Sequence, residues 1–246
     1  MKARELKGVV AIVPAAGLGV RFGGSGRGKK TFHELDGKPV IARTLLALER
    51  TALVTEVIPA LRPEDHGMLR DLMAEYGIKK VKKIAEGGKE RQDSVWNALK
   101  LVSPGTEAVA VHDGVRPMAT PEFISAVISA LYEDDGWDGV VPGLMPRDTI
   151  KEVGATLTGK TLAVKTTLER RSLVAVQTPQ VFRYKSLFAA YETAMARGYY
   201  ATDDAALVEA AGGKVKIAPG LPENIKITTP VDILLSEALL ISRGGR

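Results

Sequence analysis

Residues 14–30, PAAGLGVRFGGSGRGKK, put six glycines and four basic side chains directly after a short apolar run, VVAIV at 9–13. Glycine lets backbone N–H groups come close to phosphate oxygens, and Lys and Arg supply the opposing charge. Three chemistries use such a loop: dinucleotide binding, P-loop NTP hydrolysis and nucleotidyl transfer. The dinucleotide fingerprint needs a glycine where Phe22 stands, and Gly23 falls one residue late. GGSGRGKK (23–30) approaches the P-loop string, but Lys30 replaces the Ser or Thr that holds magnesium. The third template is a strand running into P-A-A-G-x-G, then an Arg, then a Lys at the loop's end. It makes Ala15, Ala16, Gly17, Leu18 and Gly19 a cradle for a base and triphosphate, with Arg21 and Lys30 charging the phosphates. A flexible surface loop competes for GGSG alone; it gives no reason for two alanines at the start.

Other stretches carry side chains of the same kind. Asp113 in VHDGVRP (111–117) ends a buried-type run, at the carboxyl end of a strand where open α/β sheets bind ligands. Pro117 and Pro121 push the next helix start past it, which argues against a plain helix cap. His112 reads as a packed strand residue, and Arg116 either as a site residue or as a salt bridge holding the loop. GGKERQDSV (87–95) joins a tight glycine turn to a helix start, with Arg91 and Asp93 read as local salt-bridge formers. Thr202 in ATDDA reads equally as an N-cap with Asp203 in the first helical turn. In NIKI (224–227), strand alternation would put Ile225 and Ile227 on one face and Lys226 on the other.

Composition narrows the chemistry. The chain has no cysteine, so disulfides, thiolate nucleophiles and cysteine zinc sites are excluded. Three histidines far apart (33, 66, 112) argue against a His-based metal site; a hard ion on carboxylate and phosphate oxygens, such as magnesium, suits better. Residues 1–30 hold seven Lys or Arg against one Glu, more than the whole chain's net charge of +5. So local a cluster, with only 5% aromatic residues, fits a small phosphorylated ligand rather than a nucleic acid. No run approaches the length of a membrane helix, and the basic N-terminus leads into a glycine loop instead of a cleavage site. A cytoplasmic protein is expected.

The elements that must position these residues alternate. Strand-like runs at 9–13, 55–61, 79–85, 107–112 and 137–142 are separated by helical windows near 39–50, 63–75, 90–102 and 121–132. This rhythm predicts a single α/β domain, a Rossmann-like, mostly parallel sheet covered by helices on both faces. Between about 145 and 180 it breaks: DTIKEVGATLTGKTLAVKTT reads as a β-hairpin with little to pack on, a candidate arm for a partner subunit. The α/β pattern resumes at about 184–240.

PAAGLGVRF followed by KKTF resembles the nucleotide loop of the 2-C-methyl-D-erythritol 4-phosphate cytidylyltransferases, within the wider sugar-phosphate nucleotidyltransferase group. GGKERQDSV, VHDGVRP, RDTIK (147–151) with QTPQVF (177–182), and ATDDA with NIKITTPVD (224–232) match that family in the same order. The resemblance implies a fold of the nucleotide-diphospho-sugar transferase type and transfer of CMP from CTP to a polyol phosphate. It places cytosine against Gly88, Lys89 and the Ser94 hydroxyl, and makes Arg21, Lys30 and Lys226 the catalytic cations. Asp113 becomes the magnesium-associated carboxylate, with Arg116, Thr178 and Thr202 near the second substrate. Thr149 on the hairpin and Arg170 beyond it would reach across a homodimer to the substrate phosphate. Lys89 stands where the family often has an acidic residue, a change that a backbone contact would survive. Ribitol 5-phosphate cytidylyltransferases share most of these motifs. A nucleotide-binding protein without turnover is the remaining alternative, and the presence of both Lys30 and Lys226 argues against it.

Overall fold

The computed structural model describes residues 8–17, 30–158 and 160–244. The first strand, β1 (Val9–Pro14), is buried along almost its whole length, which is what a continuous apolar run demands when both faces of a sheet are covered. A short hairpin, β2 (Glu34–Leu35) and β3 (Lys38–Pro39), turns at Asp36 and Gly37, both at positive φ, and leads into α1 (Val40–Arg50). Then come β4 (Val54–Leu61), α2 (His66–Tyr76), β5 (Ala85–Glu86), α3 (Arg91–Leu99), β6 (Ala108–Val111), α4 (Pro121–Ala130) and β7 (Gly139–Leu144). β5, β4, β1 and β6 run parallel, with Ile12 of β1 between Ile58 and Val111. Alternation along β1 sends Ala11 and Val13 into a core with α1, α2 and α4, while Val10 and Ile12 pack towards α3.

The second half completes the sheet. After β8 (Lys151–Thr158) and β9 (Thr161–Thr167) come β10 (Ala175–Val176), β11 (Gln180–Arg183), α5 (Tyr184–Ala196), α6 (Asp204–Ala210), β12 (Val215–Pro219) and α7 (Pro230–Gly244). β11 inserts antiparallel between β6 and β7, β10 runs along the same edge of β7, and β12 pairs in parallel on its other side. Tyr191 and Leu187 of α5 and Leu207 of α6 join the core under α3. The Rossmann-like α/β layering is as expected. Among the described residues β8 and β9 pair only with each other, and the arm leaves Val153, Leu162 and Val164 exposed.

α3, α4 and α6 each start at a side-chain cap. Thr120 accepts the Phe123 N–H at 3.2 Å ahead of Pro121, a threonine cap followed by proline at the first helical position. Arg62-Pro63-Glu64 instead opens a 3-10 turn, Pro63–Asp65, before α2. Two strand expectations fail. KKVKKIA yields only β5 and one bridge, Val57 to Val81. Its lysines turn sideways: Lys80 Nζ donates to Thr51 O at 2.7 Å and Lys83 Nζ to Leu101 O at 2.8 Å. NIKI is not a strand: the Asn224 N–H donates to Leu221 O at 2.9 Å, Ile225 N–H to Glu223 O at 2.8 Å and Ile227 N–H to Val115 O at 2.9 Å. Arg116 donates to Asn224 O at 2.7 Å, and the Asn224 amide donates to Thr178 O at 2.8 Å. Burial still separates Ile227, which is fully buried, from exposed Lys226.

Candidate active site

At the carboxyl ends of β1 and β6 lies a cleft of about 690 Å³. One wall is Pro14, Ala15, Ala16 and Gly17; the other is the turn carrying Gly88, Lys89 and Glu90 and the start of α3. Lys30 and Thr31 close one side, and Asp113 and Lys226 lie at the floor. The two walls touch through glycine. A Cβ on Gly87 would stand 2.1 Å from the Ala16 Cβ and 3.2 Å from the Leu61 carbonyl carbon. Neither Gly87 nor Gly88 has positive φ, so close approach, rather than a tight turn, explains this glycine pair. Ser94 Oγ accepts the Gly88 N–H at 2.9 Å and donates to Glu90 O at 3.2 Å, pinning the turn from inside. A capping box between Glu90 and Asp93 then starts α3.

Asp113 is the electrostatic centre. Its carboxylate meets Arg91 Nε at 3.1 Å, Lys226 Nζ at 3.0 Å and Arg116 Nε at 3.5 Å. Burial alone would push its carboxyl up, but Arg91, Lys226 and Arg116 hold it well below the usual carboxylate range. Behind it, Thr178 Oγ1 accepts the Asp113 N–H at 3.0 Å and lies 3.0 Å from His112 Nδ1. His112 is fully buried, and burial brings its pKa down to about 4, so the ring is neutral at pH 7.

The sequence-predicted residues do not all fall in one place. Ala15, Ala16, Gly17, Lys30, Gly88, Lys89, Ser94, Asp113 and Lys226 line the cleft. Leu18, Gly19 and Arg21 lie outside the described residues. Arg116 and Thr178 are buried behind the floor. Thr202 lines an adjoining cavity with Gln92, Tyr200 and Ala201, sharing Lys89, Glu90 and Arg91 with the cleft. Asp203, not Thr202, caps α6, accepting the Ala206 N–H at 2.9 Å. Thr149 is exposed and precedes the hairpin rather than lying on it. Arg170 sits in a separate hollow at the base of the arm with Met145, Pro146, Arg147 and Arg171, donating to Arg147 O at 2.7 Å. Within one chain, Thr149 and Arg170 do not join the cleft.

Arg91 departs from expectation most. Its contacts are long-range: besides Asp113, both terminal nitrogens grip Asp204, at 3.2 and 2.8 Å. Asp93, by contrast, serves the local capping box and also accepts from Tyr200 Oη at 2.8 Å. Arg62, which no motif singled out, also lines the cleft while pairing with Glu64 at 3.3 Å. Among the described residues no group of three or more His, Asp or Glu side chains converges as a metal cage. Of the two described carboxylates lining the cleft, Glu90 is held in the α3 capping box and Asp113 is left to serve phosphates, and this donor set fits magnesium, which keeps its waters and binds through one or two carboxylates plus substrate phosphates. No helix among the described residues is long and apolar enough to cross a membrane.

Residues 9–242 match the model of the IspD family, 2-C-methyl-D-erythritol 4-phosphate cytidylyltransferase. A curated protein of that name from Syntrophus aciditrophicus is 41% identical over 239 residues, covering 97% of this chain and 98% of its own. Among solved structures, a 4-diphosphocytidyl-2C-methyl-D-erythritol synthase from Anaerococcus prevotii superposes with a TM-score of 0.79 at 31% identity, covering 96% of this chain and 100% of its own. A 2-C-methyl-D-erythritol 4-phosphate cytidylyltransferase from Thermus thermophilus gives 0.72 at 30% identity, over 95% and 99%.

Proposed function

Since the chain belongs to the 2-C-methyl-D-erythritol 4-phosphate cytidylyltransferase family, we infer that it transfers CMP from CTP to 2-C-methyl-D-erythritol 4-phosphate. The products are 4-diphosphocytidyl-2-C-methyl-D-erythritol and pyrophosphate, in the non-mevalonate route to isoprenoid precursors. The observation that carries the reading to this chain is the cleft itself, where a small-residue cradle faces Lys30 and the Asp113–Lys226 pair.

A phosphate oxygen of the polyol phosphate attacks the α-phosphorus of CTP; that P–O bond forms as the α–β bridging bond breaks, and the electron pair leaves on pyrophosphate. The attacking group is already an anion, so no general base is required. The barrier is bringing two anions into line, and fixed cations lower it. Lys226 would exchange Asp113 for an α-phosphate oxygen, with Lys30 across the cleft and Arg21 on the loop as the further cations. Ala15, Ala16, Gly17, Leu18 and Gly19 would cradle the nucleotide, and Gly88, Lys89 and Ser94 would meet the base. Asp113 is the residue that would hold magnesium, which supplies charge neutralisation on the phosphates when bound. Arg116 and Thr178 fix Asp113 from behind, and Thr202 lies beside the cleft on the side of the second substrate.

The exposed arm supports a homodimer in which Thr149 and Arg170 of one protomer reach the polyol phosphate bound to the other. A reaction that consumes CTP belongs in the cytoplasm. Pyrophosphate release from CTP with 2-C-methyl-D-erythritol 4-phosphate, set beside ribitol 5-phosphate, tests the assignment. Turnover is expected with the former; a preference for ribitol 5-phosphate overturns the pathway and keeps the reaction class, and no release with either overturns the enzyme reading.

A further inference from the structure

ATDDA contains two carboxylates that no step above uses. Asp203 is accounted for by the α6 cap and by Gln180 Nε2 at 2.8 Å. Asp204 has no such local duty. It is 1% exposed, lines neither cavity, and spends both oxygens on the terminal nitrogens of Arg91. Tyr191 Oη donates to the same carboxylate, and the Tyr191 ring is stacked on Trp96 with centroids 6.1 Å apart. Asp204 is therefore held from behind and presents a fixed fork to Arg91.

We propose that Asp204 is a positioning residue for nucleotidyl transfer: by gripping both terminal nitrogens of Arg91, it fixes the guanidinium in the orientation that aims Nε at Asp113. A guanidinium gripped at its fork is fixed in plane as well as in place. Nε then takes Asp113 Oδ1, and Oδ2 stays with Lys226. Without Asp204, the Arg91 fork can turn bidentate onto Asp113 and displace Lys226 from the position in which it awaits the α-phosphate. The same contact ties two substrates together. Arg91 lines both the nucleotide cleft and the Thr202 cavity. Its neighbour Gln92 bonds Tyr199 O at 2.9 Å and the Ala201 N–H at 3.0 Å. The first turn of α3 thus forms one wall shared by both cavities, and Asp204 anchors it.

The inference rests on the cytidylyltransferase reading. Its test measures pyrophosphate release and equilibrium CTP binding for the wild type, Asp204→Asn, Arg91→Met, the double variant and Tyr191→Phe. In Asp204→Asn, kcat is expected to fall about 10- to 100-fold, as for other residues that orient a site through an intermediary. CTP affinity should stay within about threefold, the split expected of a transition-state effect. The double variant should be no slower than Arg91→Met, since Asp204 acts only through that guanidinium. Tyr191→Phe keeps the ring and removes one hydrogen bond to Asp204, so it carries the test if Asp204→Asn does not fold; about a 3- to 10-fold loss of kcat is expected. Wild-type kcat in the folded variant, parallel losses of kcat and CTP affinity, or multiplying losses in the double variant overturn the inference. A wild type that releases no pyrophosphate overturns the reading beneath it instead.

Discussion

Asp113 keeps the Lys226 ammonium 3.0 Å away, in the cleft before any phosphate enters. Two carboxylates, Asp113 and Asp204, face three cations, Arg91, Arg116 and Lys226. The cluster carries one positive charge in surplus, available to a triphosphate. Charges set in advance act on the transition state without reorganising at the moment of reaction. Lys226→Ala should therefore lower kcat by about 100-fold or more, with CTP affinity from calorimetry within about threefold; equal losses in both would mean that Lys226 only binds. Asp113 is legible from its place at the end of an apolar run, whereas Lys226 is singled out only by the family resemblance, since NIKI alone suggests a solvated lysine. The partner of Arg91 is not legible, since Asp204 lies 113 positions away and nothing local to either residue marks the pairing. Thr178 is an intermediate case: QTPQ marks the loop, but only the fold turns its hydroxyl onto the Asp113 N–H.

At the scale of elements, the sequence reads best where burial and capping agree. β1 is apolar throughout because both its faces are covered, and α4 starts at Pro121, where the helical window near 121–132 begins. The lysine-rich segment before β5 reads as a strand and is mostly not one, since carbonyls of neighbouring elements draw its ammonium groups aside. NIKI fails likewise, because its N–H groups bond to Leu221, Glu223 and Val115 carbonyls and Arg116 takes the Asn224 carbonyl. The arm is legible as a hairpin, and its surface bears on assembly. Val153 pairs directly with Val164 across the hairpin, and both are exposed. Burying two valines against a second copy is worth about 3 kcal/mol. Val153→Ser with Val164→Ser should then weaken the proposed homodimer about 100-fold, read by sedimentation equilibrium, with the circular dichroism spectrum unchanged. An undiminished dimer would show that the arm is not the contact.

For the molecule as a whole, the buried site makes stability depend on pH. His112 stays neutral in the native protein down to about pH 4, whereas an unfolded histidine takes up its proton near pH 6.5. Between those values the unfolded chain binds more protons, so stability rises with pH and is lost on acidification. Asp113, held low by its cations, adds a loss of the same sign further down, below the usual carboxylate range. From pH 7 to pH 5 the His112 contribution is about 2 kcal/mol. It is measured from urea unfolding at fixed protein concentration, and His112→Gln should flatten the slope; a wild type equally stable at both values would contradict it. The place of β11, between β6 and β7, has a consequence for a chain made from its N-terminus onward. The nucleotide cradle is encoded early, yet the gap in the sheet stays open until β11, which ends at Arg183, has emerged from the ribosome. Thr178 reaches Asp113 only with that strand, and Lys226 later still. A nascent chain can thus display the small-residue wall and Lys30 without Lys226, and competence to turn CTP over arrives only as synthesis nears the last helix.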